Sequence, residues 1–344
     1  MKNLLYVGNH LQNSQTNLSY SAVLGPLLEQ SGYSVCYTSS KINKFFRLLD
    51  MLWTTFRVCK RTDLVLIDTY STQNFYYAVL VSSLCRVLKL RYVPILHGGN
   101  LPNRLKNSPK LSKRLFEHAY ANVSPSLYLK ESFEAFGYQN VVYIPNTISL
   151  ENYPLHKKNY DTPRLLWVRS FSEIYNPALA VKVLQELRLR GVDASLCMVG
   201  PDTDGSLAEV KALTERLNVS VTFTGKLKKT EWIALSKDYN VFINTTNFDN
   251  MPVSVIEAMA LGLPVVSTNV GGMPYLIEHG VDGVLVAPND KVAMSDAICS
   301  VFEDVDRTEA MAAKAREKVE EFDWEKVRGL WEELLREGGL KIFD

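Results

Sequence analysis

Residues Asn247–Gly272 read NFDNMPVSVIEAMALGLPVVSTNVGG. An apolar run, Val241–Asn244, ends in a polar loop that holds Asp249. A helix is predicted from Pro252 to Leu261, because proline suits a first helical turn and the apolar positions that follow have helical spacing. A second short apolar run, Val265–Ser267, precedes the pair Gly271-Gly272. Strand, helix, strand in this order is a parallel crossover unit. Its two carboxylates are unequally placed. Asp249 precedes the helix start, and Glu257 lies about 7–8 Å along the helix at 1.5 Å per residue. The exposed N–H groups at a helix start attract an anion. A diphosphate there could present one sugar to Asp249 and a ribose diol to Glu257, since a carboxylate accepts two hydroxyl hydrogen bonds.

The same alternation runs outward in both directions. Upstream, the expected strands are Leu4–Gly8, Ser34–Tyr37, Leu64–Asp68, Tyr92–Leu96, Asn122–Ser124 and Val141–Ile144, with helical spacing over Phe75–Leu88 and Ser126–Phe136. Around the quoted stretch they are Leu165–Arg169, Ser195–Val199, Val221–Thr224, Val241–Asn244, Val265–Ser267 and Gly283–Val286. The helices expected between these are Pro177–Arg190, Leu207–Leu217 and Pro252–Leu261. Short continuous apolar strands separated by helices argue for parallel sheets covered on both faces. Pro145 to Pro163 is polar, contains three prolines and lacks a period. The expectation is therefore α/β, with an N-terminal doubly wound domain over 1–150, a linker over 151–163 and a second such domain over 164–320. A helix over 321–344, anchored by aromatic residues such as Trp324 and Trp331, is expected to pack back on the first domain.

Length and composition limit the function classes. A chain of 344 residues with 47% hydrophobic and 22% charged residues has the make-up of a globular protein with two cores. Its five cysteines are scattered, with no Cys-x-x-Cys pair and no zinc spacing, which points to reduced thiols in a reducing compartment. The first apolar run is too short for a signal peptide, and no run approaches the roughly 18–20 apolar residues of a membrane span. A cytoplasmic chain is expected. Net charge is +1 but uneven: residues 1–150 carry 16 Lys+Arg against 7 Asp+Glu. The first half is thus built to face something anionic, or the two halves attract one another. Basic and aromatic residues mix over Lys41–Arg61, and Arg104, Lys106, Lys110, Lys113 and Arg114 follow. That mixture suits an anionic membrane surface on which the chain rests peripherally, at the inner face. It also suits a buried helix with solvated lysines. No nucleic-acid-binding motif accompanies the charge.

The quoted stretch resembles the signature of the retaining glycosyltransferases of family four, which have the GT-B fold: Glu-x7-Glu followed by Ala-Met-Ala-x-Gly-x-Pro-Val-Val. Here Asp249-x7-Glu257 is followed by Ala258-Met259-Ala260-Leu261-Gly262-Leu263-Pro264-Val265-Val266. The departure is aspartate for the first glutamate, one methylene shorter. The resemblance implies two Rossmann-like domains facing across a cleft, and transfer of a hexose-type sugar from a UDP-, GDP- or ADP-sugar with retention of configuration. A glycan or lipid-linked acceptor, cell-surface polysaccharide or glycoconjugate assembly and no metal are implied with it. By the same resemblance Asp249 touches the donor sugar and Glu257 the ribose, while Asn250, Met251, Pro252 and Val253 line the donor at the helix start.

Other positions extend the likeness. Arg169 ends a strand where the family places a phosphate-binding arginine, whose guanidinium engages two oxygens at once. The lysine that the family adds five or six residues later is replaced by Ile174 and Tyr175. That loss leaves a second reading open, a sugar-nucleotide-binding subunit without catalysis. His97, before Gly98-Gly99, resembles the histidine that these enzymes place near the reacting sugar. Gly200, Gly225 and Lys226 fall where the family meets the base and flanking phosphate, and Gly271 and Gly272 allow close backbone approach. The first turn, Gly8–Asn17, departs most. Its Asn9, His10, Ser14 and Asn17 are acceptor candidates, or they cap a helix that begins near Thr16. Asp202-Thr203-Asp204 is read as turn chemistry rather than a metal site.

Overall fold

The computed structural model describes residues 2–10 and 19–338. The chain forms two compact units. One runs to Thr147 and resumes at Trp324; the other is Ile148–Asp323.

The first unit holds a six-stranded sheet. Its strands are β1 (Asn3–Val7), β2 (Ser34–Thr38), β3 (Leu64–Thr69), β4 (Tyr92–Leu96), β5 (Asn122–Ser124) and β6 (Val141–Tyr143). All neighbours pair in parallel, in the order β2-β1-β3-β4-β5-β6. Its helices are α1 (Ser21–Gln30), α2 (Lys44–Val58), α3 (Asn74–Val87), α4 (Leu101–Asn107), α5 (Pro109–Phe116) and α6 (Leu127–Ala135). Successive side chains of a strand point to opposite faces, and the core divides accordingly. Leu5, Val7, Val65 and Ile67 pack against α2 to α6. Leu4, Tyr6, Leu64 and Leu66 pack against α1 and against Trp324, Val327, Trp331 and Leu335 of the last helix. The first described helix begins at Ser21; Thr16 and the rest of 11–18 lie outside the described residues.

The second unit repeats the design. Its strands are β7 (Arg164–Val168), β8 (Ser195–Val199), β9 (Thr222–Gly225), β10 (Val241–Asn244), β11 (Val265–Thr268) and β12 (Val284–Val286), in the order β12-β11-β10-β7-β8-β9 and again all parallel. The helices are α7 (Pro177–Leu189), α8 (Ser206–Leu217), α9 (Lys229–Leu235), α10 (Val253–Ala260), α11 (Met273–Leu276), α12 (Lys291–Glu303) and α13 (Val305–Glu320); α14 (Trp324–Gly338) belongs to the first unit. Leu165, Trp167, Leu196 and Met198 face α7, α8 and α12. Leu166, Cys197 and Val199 face α9, α10, α11 and α13. Residues 151–163 are part of this unit. Tyr153 is buried in its core, and the buried Lys158 ammonium donates to the Ser236 carbonyl at 2.8 Å.

Each sheet reverses its winding once, between β1 and β3 in the first unit and between β7 and β10 in the second. Open parallel sheets bind ligands beyond the C-terminal strand ends at such a reversal.

Candidate active site

In the second unit both reversal strands deliver a charged group. Arg169 follows β7 directly, and Asp249 sits in the loop after β10. The guanidinium and the carboxylate form an ion pair. Arg169 lies over the Tyr175 ring, 4.3 Å from its centroid. Tyr175 is one of the two residues, with Ile174, at the sequence positions where the resemblance expects lysine. Burial lowers the Arg169 pKa from its usual value, while Tyr175 and the Glu257 charge oppose that shift; an arginine stays charged at neutral pH regardless. Its Nε is buried and has no hydrogen-bond partner.

The helix that follows begins at Val253, with Pro252 as its N-cap rather than its first residue, and no side chain caps it. The Ser254 hydroxyl, in that first turn, is likewise buried and unpartnered. Two orphan donors by an uncapped helix start are the arrangement an anion would satisfy. Glu257 is buried one turn further on. Its Oε1 accepts from the Tyr153 hydroxyl at 2.7 Å and pairs with the Lys229 ammonium at 2.7 Å. Burial and the adjacent carboxylate raise Tyr153 well above the usual phenol range, so it stays a donor. Neither Tyr153 nor Lys229 was expected from the sequence. Both come from segments remote from Glu257 in the chain, and only tertiary folding joins them.

The glycines serve this loop. A Cβ on Gly271 would sit 2.1 Å from the Asp249 carbonyl oxygen, and one on Gly272 would sit 1.8 Å from that of Asn250. The Gly272 N–H donates to the Asp249 carbonyl at 3.0 Å. Their close approach is thus to the site's own backbone. Gly200, at φ +152°, would place a Cβ 1.7 Å from the Arg169 carbonyl oxygen. Its N–H donates to Gly225 at 2.9 Å, and the Arg169 N–H donates to Val199 at 3.0 Å, which ties three strand ends together. A Cβ on Gly225 would meet nothing within 4 Å.

Asp202 and Asp204 are engaged in turns. Asp202 accepts from the Gly205 N–H at 3.0 Å. Asp204 accepts from Ser206, Ser172 and the Glu173 N–H, and these bonds, led by the Ser206 hydroxyl, hold its carboxyl at about 2. Through Ser172 and Glu173 it braces the turn that carries Tyr175.

In the first unit, His97 follows β4, and its Nε2 lies 2.9 Å from Asp68 Oδ1. Tyr6 donates to the same oxygen at 3.0 Å. The ring is flanked by Tyr20 and Tyr70, at centroid distances of 4.7 and 5.3 Å. Burial, then the Asp68 charge, lifts Tyr6 and Tyr70 well above the usual range. Gly8 has no room for a Cβ, which would lie 2.4 Å from Asp68 Oδ2. Asp68 was missed in the sequence, although a lone acid at the end of the apolar run Leu64–Ile67 was a visible sign. Of the first-turn candidates, Asn9 accepts from Arg47 at 3.1 Å. The His10 ring stacks on Tyr37 at 4.7 Å, with its Nδ1 buried and unpartnered. Ser14 and Asn17 lie outside the described residues.

Residues 151–318 match the family model described as glycosyl transferases group 1. Glycogen synthase of Mycobacterium tuberculosis is 26% identical over 194 residues, which are 56% of this chain and 47% of that protein. N-acetyl-alpha-D-glucosaminyl L-malate synthase of Bacillus anthracis is 29% identical over 146 residues, 42% of this chain and 37% of that protein. The chain thus spans about half or less of the length of the curated relatives it matches. HepE of Anabaena, solved in complex with UDP-glucose, superposes with a TM-score of 0.80 at 17% identity, covering 98% of this chain and 100% of that one. With its two doubly wound parallel sheets the chain has the GT-B fold, and residues 151–318, most of its second unit, are similar to the group 1 glycosyltransferases.

Proposed function

We propose that the chain moves a hexose-type sugar from a nucleoside-diphosphate sugar to a glycan or lipid-linked acceptor, with retention of anomeric configuration, in polysaccharide or glycoconjugate assembly. One observation carries this reading. Arg169, Asp249 and Glu257 converge at the winding reversal of the second unit, beside two unpartnered donors and the open start of α10. Among UDP, GDP and ADP donors, the UDP-glucose held by HepE favours UDP.

The chemistry follows from charge. As the bond from the sugar to the diphosphate breaks, negative charge grows on the departing phosphate. Arg169 and the N–H groups at the start of α10 meet it without reorganisation. Lys229, beside Glu257, adds the cation that Ile174 and Tyr175 do not supply. A diphosphate competes with Asp249 for the guanidinium, which frees the carboxylate to accept from donor-sugar hydroxyls. Glu257, held by Tyr153, takes the ribose diol. Asn250, Met251, Pro252 and Val253 line the diphosphate, and Gly200, Gly225 and Lys226 the base side. His97, oriented by Asp68, is assigned to sugar hydroxyls. Among the described residues of the first turn, His10 is the candidate for the acceptor, since Asn9 is engaged by Arg47.

Incubation with UDP-glucose, followed by proton NMR, tests the proposal. Release of UDP with an α-configured sugar product is expected. A β-configured product contradicts retention. Tyr175, standing where lysine is expected, favours a second reading, a non-catalytic sugar-nucleotide-binding subunit. Binding of a nucleotide sugar without turnover would identify it.

A further inference from the structure

α2 is built inside out. It turns Arg47, Thr54 and Thr55 inward with Met51 and Val58. It turns Phe46, Leu49, Trp53 and Phe56 outward, and Ile42 of the entry loop continues the row. The spacing of these five residues alternates four and three, so they form one stripe down a single helix face. Phe46 is 60% exposed and Trp53 63%. The inversion is actively held. The buried Arg47 guanidinium donates to the Lys41 carbonyl at 2.7 Å, to the Ile42 carbonyl at 2.8 Å and to Asn9 at 3.1 Å, and the Asn43 side chain caps the helix start. Packed beside it, α3 exposes Tyr76, Leu80 and Val87.

Charge says what covers this face. Helices α2, α3, α4 and α5 carry nine Lys or Arg and one carboxylate, Asp50. Lys44, Arg57, Lys110, Lys113 and Arg114 are exposed. A second copy of the chain meeting this face symmetrically would set cations against cations. A bilayer with anionic headgroups offers acyl chains to the aromatic stripe and phosphates to the cations.

We propose that α2 docks the protein on an anionic lipid bilayer, lying in the interface plane with Phe46, Leu49, Trp53 and Phe56 at the acyl boundary and the basic groups of α2 to α5 on lipid phosphates. This docking is independent of the transfer reaction.

Trp53 gives a local readout, because Trp167, Trp232, Trp324 and Trp331 are all buried. The full chain is mixed at low salt with vesicles of phosphatidylglycerol and phosphatidylcholine, or of phosphatidylcholine alone. Co-flotation with the anionic vesicles and a blue shift of the tryptophan emission are expected. Binding should be about tenfold weaker to neutral vesicles or at about 0.5 M salt. The F46S/W53S variant, altered only at exposed positions, should keep its circular dichroism and bind about tenfold more weakly by flotation. No flotation at low salt, flotation without a blue shift, or equal binding by F46S/W53S overturns the proposal. So does a dimer in sedimentation equilibrium that the variant dissolves.

Discussion

Arg169 is held in place by three contacts of different kinds: the Asp249 carboxylate, the Tyr175 ring and, through its backbone, the Gly200 turn. Only a planar, delocalised cation satisfies the first two together. Arg169→Ala should therefore lower turnover by about 100-fold or more while leaving the circular dichroism unchanged. Arg169→Lys should restore little of it, since an ammonium neither forks between phosphate oxygens nor stacks in the same way; initial rates with UDP-glucose check both. His97 depends similarly on Asp68. Asp68→Asn keeps the size of the side chain but removes the charge that orients the ring. Imidazole nitrogen shifts in NMR should then show a change of His97 tautomer, with turnover down roughly tenfold or more. An unchanged His97 spectrum would free Asp68 of that role.

Elements place these residues, and their limits are physical. Gly200→Ala would force a Cβ against the Arg169 carbonyl at the end of β7. A loss of about 2 kcal/mol or more in chemical denaturation is expected, because backbone must move. Lys158 tests the segment that leads into β7. Burial lowers its pKa to about 8, against about 10.4 in an unfolded chain. Between those values the unfolded state binds more protons, so stability rises as pH increases from 8 to 10.4. Lys158→Met should flatten that rise in urea melts across the same pH window. The alternation of short apolar runs with helical stretches made both sheets legible, because strands buried on both faces must be apolar throughout. Arg169, Asp249 and Glu257 were legible for a related reason: each stands beside a strand end or a helix start, which sequence marks locally. Lys229 and Tyr153 were not legible, as their partner is fixed only by packing of α9 and of residues 151–163 against α10. The inverted face of α2 was half legible, since the basic-aromatic mixture is plain but its burial is decided by Arg47 and its three acceptors.

The molecule as a whole is two cores joined where the chain passes from one unit to the other, after Thr147 and after Asp323. The second passage matters for stability. Trp331 and Leu335 of α14 are fully buried in the first unit, and Lys2 donates to the carbonyls of Leu335 and Arg336 at 2.7 and 2.6 Å. Truncation after Asp323 would expose the facing surface of Tyr6, Leu64 and Leu66. The cost is about 2 kcal/mol for each large apolar side chain removed, against a total stability of about 5–15 kcal/mol. The truncated chain should lose the first unit's cooperative transition in calorimetry. If Arg169 and the start of α10 form a nucleoside-diphosphate site, nucleotides must stabilise the full chain against thermal unfolding. A nucleotide at about 100 times its dissociation constant stabilises by about 2.7 kcal/mol, or about 2–4 °C in melting temperature per kcal/mol. UDP should raise the melting temperature by several degrees, more than GDP or ADP, and Arg169→Ala should abolish the rise. No shift with any of the three nucleotides, or the same shift in Arg169→Ala, would contradict such a site.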